Sequence, residues 1–294
     1  MKSWGRIITA MVTPMDRAGE VNYDKAAEMA RLFVSEGTTA LVVSGTTGES
    51  PTLTAEEKER LFACVKKAVE VPIIAGVGTN STASSIENAR RAQEAGADAL
   101  LAVVPYYNKP NQESMYAHFA ALAQSTKLPI MLYNVPGRTG VNMTAETSIK
   151  LSKISNITAL KEASGDLVQL ARVVKDTDDA FAVYTGEDAQ ILPTMAVGGY
   201  GVVSVASQVA GPEIKKMIDS YLAGRVQEAA EWHQKLIGIC AKLFMTANPI
   251  PLKAALNLLG YDVGSTRLPL APASSEVIEA MRMELAALGR RTEE

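Results

Sequence analysis

Ile157-Thr158-Ala159-Leu160-Lys161-Glu162-Ala163-Ser164-Gly165 is a short apolar run that ends in a lysine and passes at once into a polar, glycine-containing loop. Seven further runs of this kind lie along the chain, at residues 7–12, 40–43, 72–77, 99–104, 129–133, 182–184 and 201–205. They are apolar throughout rather than alternating, the pattern of parallel strands covered on both faces. Amphipathic segments of helical length separate them, for example at residues 24–36, 55–70, 84–95 and 115–126. Thr54 with Glu57 three residues on reads as a capping box, and Thr144 with Thr147 as a weaker helix start. Gly37 and Gly96 stand where helices stop. Eight strand–helix units in series predict an α/β fold, a (β/α)8 TIM barrel, because an open sheet of this size would show a break or a long crossover.

Beyond Leu222 the strand signal ends. Residues 225–289 read as three helices, punctuated by Ala247-Asn248-Pro249-Ile250-Pro251 and Leu268-Pro269-Leu270-Ala271-Pro272. The expected organisation is a catalytic barrel over residues 1–224 and a C-terminal three-helix appendage over 225–294, packed on it.

The bulk properties exclude several classes. The 294 residues are 47% apolar and carry a net charge of −3, with no basic stripe of the kind that binds nucleic acid. No stretch approaches the length of a membrane span, and the N-terminus lacks the pattern of a secretion signal. The two cysteines, Cys64 and Cys240, are far apart, which fits a reducing compartment. The expectation is a cytoplasmic protein with neither nucleic-acid nor membrane partners.

In a (β/α)8 barrel the chemistry sits at the carboxyl ends of the strands. The polar and glycine residues that follow the runs therefore converge on one rim: Gly45-Thr46-Thr47-Gly48-Glu49-Ser50, Pro105-Tyr106-Tyr107-Asn108, the stretch from Tyr133 to Gly140, Lys161 to Gly165, and Gly186-Glu187-Asp188. Lys161 stands out because it closes an apolar run. Desolvation there lowers an amine's pKa and exposes a neutral nucleophile able to attack a carbonyl. The competing reading is a lysine that snorkels out to solvent. Lys253 is a second lysine in apolar surroundings, but its segment reads as helical and outside the barrel. Only two histidines, His118 and His233, are present, both in helical stretches. Metal-dependent aldol chemistry needs several such ligands, so neither metal nor cofactor is expected. Tyr107 and Tyr133 are the candidates for acid/base work; a tyrosine titrates near pH 10, yet shuttles protons when chained to a hydroxyl such as Thr46. Core packing is the alternative for each tyrosine. Arg138 offers a fork for a carboxylate, or is an ordinary surface arginine. The Gly45–Ser50 loop suits an anion but lacks the Gly-Lys-Ser/Thr ending of a P-loop, and Gly76-Val77-Gly78 lacks the third glycine of a dinucleotide fingerprint.

Together, Gly45-Thr46-Thr47-Gly48-Glu49, Tyr106-Tyr107, the run from Tyr133 to Gly140, residues 157–165 with Lys161, and Gly198-Gly199-Tyr200-Gly201 resemble the dihydrodipicolinate synthase (4-hydroxy-tetrahydrodipicolinate synthase) family of the N-acetylneuraminate lyase superfamily. The resemblance spans nearly the whole chain. It implies a lyase of lysine and diaminopimelate biosynthesis, in which Lys161 forms a Schiff base with pyruvate and the resulting enamine attacks L-aspartate 4-semialdehyde. It implies a proton relay of Tyr133, Thr46 and Tyr107, with Tyr107 entering from a neighbouring subunit of a homotetramer built as a dimer of dimers. It places Thr46 and Thr47 at the pyruvate carboxylate, Arg138 at the semialdehyde carboxylate, and the backbones of Gly186 and Val203 along the site. The alternatives are a pyruvate-dependent lyase of 2-keto-3-deoxy sugar acids and a catalytically silent barrel. Arg138 in its Pro-Gly-Arg-Thr-Gly setting favours the synthase, and the full lysine–tyrosine–threonine–arginine set disfavours the silent barrel. Feedback-inhibited members bind lysine through two histidines and a glutamate; the matching positions here are Ala55, Lys58 and Ser84, and only Asn80 and Tyr106 agree. Weak or absent inhibition by lysine is therefore expected.

Overall fold

The computed structural model describes residues 4–293; residues 1–3 and 294, at the outer ends of the two expected segments, lie outside the described residues. Eight strands close into a barrel in sequence order. They are β1 Ile7–Ala10, β2 Ala40–Val43, β3 Ile73–Gly76, β4 Ala99–Val103, β5 Ile130–Asn134, β6 Ile157–Glu162, β7 Ala182–Thr185 and β8 Gly201–Ser204. Every neighbouring pair is parallel, and β1 pairs β8 to complete the ring. The helices are α1 Tyr23–Ser35, α2 Ala55–Ala68, α3 Thr82–Glu94, α4 Gln112–Gln124, α5 Pro136–Thr139, α6 Ala145–Leu151, α7 Leu167–Asp176, α8 Ile191–Ala196, α9 Ser207–Leu222, α10 Val226–Lys242, α11 Ile250–Leu258 and α12 Ser275–Ala287. The barrel with a helical C-terminal region is the architecture expected from the apolar runs. None of the described helices is long and apolar enough to cross a membrane.

Local chemistry explains the element ends. Thr54 and Glu57 form the reciprocal capping box, with Glu57 N donating to Thr54 Oγ1 at 3.1 Å and Thr54 N to Glu57 Oε2 at 2.8 Å. The helices expected from Ser84 and Met115 begin earlier, at Thr82 and Gln112. Their caps are Ser81 and Asn111, whose side chains accept from the N–H groups of Ser84 and Ser114. A polar first turn adds nothing to an apolar stripe, so periodicity alone starts such helices late. Gly37 and Gly96 both hold positive φ, at 108° and 90°, the left-handed stop that glycine permits. Strands and helices meet in a dry layer that includes the fully buried rings of Phe33 in α1 and Phe119 in α4; burying such a side chain stabilises by about 1.5–3 kcal/mol.

The C-terminal region is not a passive cap. After α10 packs along α9, the chain returns to the loop that follows β2. Lys253 of α11 forms an ion pair with Glu49 at 2.7 Å, both side chains almost fully buried, and its amine also donates to the Ser265 carbonyl at 2.8 Å. Arg267 N donates to the other Glu49 oxygen at 2.9 Å, and its guanidinium grips Glu57 and the carbonyls of Thr52 and Gly19. Lys253, the second lysine in apolar surroundings, is thus a structural cation in a helix outside the barrel. Burial pushes its pKa down, and the Glu49 carboxylate opposes that shift. Removing one partner of a buried pair strands the other charge. Lys253→Met is expected to lower stability by about 3 kcal/mol, read as a clear fall in the thermal unfolding midpoint.

Candidate active site

Lys161 lies near the end of β6 and is 6% exposed. The β5–β6 register sets Tyr133 directly opposite it, and the amine stands 4.3 Å from the centroid of the Tyr133 ring. Successive strand residues face opposite sides. Glu162, the next residue, bonds outward to Gln169 of α7, so Lys161 and Tyr133 face the barrel interior. Gly186, just past β7, closes in from the other side. A Cβ there would lie 2.8 Å from Lys161 Cε and 2.7 Å from Ala163 Cβ, so only glycine leaves the lysine stem its room. Its N–H is held by the Glu162 carbonyl at 2.7 Å.

The loop after β2 is folded tightly. Ser44 and Glu49 both take positive φ of 55°, and a Cβ at Gly48 would come within 3.1 Å of the Ser44 backbone. This turn presents Thr46 to a cavity of about 310 Å³ whose walls also include Tyr133, Arg138, Tyr106, Lys58 and Ser44. Thr47 is buried, and Asn248 Nδ2 donates to its hydroxyl at 2.9 Å. The Ser44 hydroxyl is buried and has no hydrogen-bond partner among the described residues. Among the described residues, Lys58 and Arg138 are the only charged side chains in these walls, so the cavity is biased towards anions. Lys161 is not itself a wall; the ring of Tyr133 both lines the cavity and carries the amine.

Of the residues expected at the site, Thr46, Tyr133 and Arg138 share one cavity, Lys161 adjoins it through the Tyr133 ring, and Gly186 packs against the lysine stem. Arg138 sits exposed on the single turn of α5. Val203 is fully buried in β8, level with Ile8 of β1, and is not a cavity wall. Tyr107 stands apart. It is 87% exposed, holds a positive φ of 73°, and does not line the cavity. No hydrogen bond joins Thr46 to Tyr133 or Tyr107 among the described residues. His118 lies in α4, buried, with Nδ1 2.9 Å from Thr82 Oγ1.

Several rim residues to which the sequence assigned no role prove to be supports. Asp188 is buried. It accepts from Ser204 Oγ and from the N–H groups of Val205 and Ala206 at 3.0 and 2.9 Å, tying the β7 loop to the start of α9. Burial raises its pKa, while these hydrogen bonds and the charge of Lys161 oppose the shift. Neighbouring Glu187 is likewise raised by burial and by Asp188, against the pull of Lys161 and Arg138. Asn134 and Glu162 form a buried pair behind the two strand ends. The only signal for that pair was position, since each follows a candidate catalytic residue by one.

Comparison with known proteins agrees with this geometry. The model of the dihydrodipicolinate synthetase family matches residues 3–288. The chain is 51% identical over 288 residues to the 4-hydroxy-tetrahydrodipicolinate synthase of Moorella thermoacetica, covering 97% of this chain and 99% of that protein. Among solved structures, dihydrodipicolinate synthase from Bacillus anthracis superposes with a TM-score of 0.96 at 48% identity, over 97% of this chain and 99% of that one. DHDPS from Cyanidioschyzon merolae, with lysine bound, superposes with a TM-score of 0.97 at 49% identity, over 98% and 99%. With an eight-stranded barrel, a lysine set against a tyrosine at its rim, and agreement along almost its full length, the chain belongs to the dihydrodipicolinate synthetase family.

Proposed function

We propose that the chain is a 4-hydroxy-tetrahydrodipicolinate synthase, a lyase of lysine and diaminopimelate biosynthesis that condenses pyruvate with L-aspartate 4-semialdehyde. The observation that carries this reading is the buried Lys161 amine, 4.3 Å from the Tyr133 ring, beside a cavity whose charged walls are cationic. The relatives' names favour the synthase over a lyase of sugar acids.

The Lys161 amine attacks the carbonyl carbon of pyruvate. Loss of water from the carbinolamine leaves an iminium, and loss of a methyl proton gives the enamine. The enamine carbon attacks the aldehyde of the semialdehyde, whose oxygen takes a proton. The substrate's own amine then attacks the iminium carbon and displaces Lys161, which closes the ring. Tyr133 delivers and removes the protons, with Thr46 and Tyr107 completing the relay. Thr46 and Thr47 receive the pyruvate carboxylate, and Arg138 the carboxylate of the semialdehyde. The backbones of Gly186 and Val203 border the reacting carbon.

Tyr107 supports an assembly. A tyrosine 87% exposed on its own subunit has a place in the relay only if it serves a neighbouring copy, as in a homotetramer formed from two dimers. The free thiols of Cys64 and Cys240 are in keeping with a cytoplasmic enzyme.

Borohydride reduction in the presence of pyruvate is expected to add mass to a peptide containing Lys161; Lys161→Ala is expected to abolish both the adduct and nearly all turnover, and near-wild-type activity would refute the assignment. Tyr133→Phe is expected to slow turnover by about 10² or more, the scale of a lost acid/base group, and an unchanged rate would remove tyrosine from the relay. Lys58 puts a cation into the cavity beside Tyr106, where it repels the ammonium groups of lysine. Turnover assayed with added L-lysine is expected to hold steady through the sub-millimolar range; strong inhibition there would sink this reading of Lys58.

A further inference from the structure

Asn134 and Glu162 are the outward-facing partners of the catalytic candidates. Tyr133 and Lys161 are level with each other on the inner face of β5 and β6, and Asn134 and Glu162 are level with each other on the outer face. Both are buried, at 0% and 2% exposure. The Asn134 amide nitrogen reaches both carboxylate oxygens of Glu162, at 3.0 and 3.1 Å. The same carboxylate accepts from Ser164 N at 2.8 Å and from Gln169 Nε2 at 3.0 Å. Asn142 joins the cluster by accepting from Asn134 at 2.7 Å and donating to Gln169 at 2.8 Å. No cation is paired with Glu162 among the described residues.

A buried carboxylate without a cation is costly; burial pushes the Glu162 pKa up, and the bonds from Asn134, Ser164 and Gln169 oppose that. We propose that Glu162 is a positioning residue, whose carboxylate locks the ends of β5 and β6 at the register that holds the Lys161 amine against the Tyr133 phenol. The side-chain chemistry allows few substitutes. A carboxylate accepts on both oxygens and donates nothing, which is what donors from three segments of chain require. An amide at position 162 would turn an N–H2 group towards one of these donors. Asn134 cannot compensate by flipping, because its carbonyl oxygen takes the Met143 N–H at 2.9 Å. The mismatch therefore falls on the β5–β6 junction, and the inner pair moves with it.

This inference rests on the reading of Lys161 as the pyruvate nucleophile, so the experiment starts with the wild-type enzyme. Borohydride trapping counts the pyruvate-reactive Lys161 sites, and failure of the wild type to trap would overturn both readings. With the wild type trapping, Glu162→Gln is expected to lower kcat per trappable site by about tenfold or more. Adduct formation slows in parallel, while KM for pyruvate stays within about twofold because Thr46 and Thr47 are untouched. The exchange Asn134→Asp with Glu162→Gln swaps donor and acceptor across the same two positions and conserves charge. It is expected to bring kcat back to within about threefold of wild type. A merely structural role predicts lower thermal stability with unchanged kcat per site, and that result overturns the proposal, as does a folded double variant no faster than Glu162→Gln. Should Glu162→Gln fail to fold, the double variant decides alone: near-wild-type kcat sustains the proposal, and a kcat reduced about tenfold overturns it.

Discussion

The parallel register between β5 and β6 is the constraint on which the site depends. Residues paired across a parallel ladder project on the same side of the sheet, so setting Tyr133 level with Lys161 brings a phenol ring and an amine together without a loop to steer them. Both are held by strand backbone, the most rigid support the fold has. Closure of the barrel then supplies the dry surroundings, and Gly186 on the next strand's loop leaves the lysine stem its space. Because the alternation is strict, the register that aligns the inner pair also aligns Asn134 with Glu162 outside. The two faces of the same four residues thus divide the work between reaction and support.

A second constraint comes from far along the chain. The loop after β2, strained at Ser44 and Glu49, is backed by α11 and the segment that follows it. Lys253 and the Arg267 N–H occupy the two oxygens of Glu49, and Asn248 holds Thr47. The helical region beyond residue 225 is therefore part of the rim's foundation. A strained turn persists when its surroundings over-determine it, and here a buried ion pair and a set of backbone contacts do so.

Much of this was legible along the chain. The eight apolar runs sit where the eight strands are, because parallel strands buried on both faces need continuous apolar residues. Lys161, Tyr133, Thr46 and Arg138 stood out because each closes or follows an apolar run, and the fold brings such positions to one end. The first turns of α3 and α4 were missed because capping is a local polar device that periodicity does not see. Asp188 and Glu162 were placed at the rim, but their supporting role was missed for a related reason. A carboxylate beside a strand end looks like any solvated acid until the elements that bury it are in place. Lys253 was visible as a lysine among apolar residues, but its partner Glu49 lies some two hundred positions earlier.

By itself the sequence determined the order of strands and helices, the barrel they form, the residues offered at its rim, and the family to which the chain belongs. These follow from local composition and motif spacing, which are properties of consecutive residues. Only the tertiary structure decided which of those residues meet. It placed the Lys161 amine on the Tyr133 ring, left Tyr107 outside its own cavity, paired Lys253 with Glu49, and assembled a carboxylate clamp behind the strand ends. Such contacts join residues distant in sequence, and their strength comes from exclusion of water, which exists only once the chain has closed on itself.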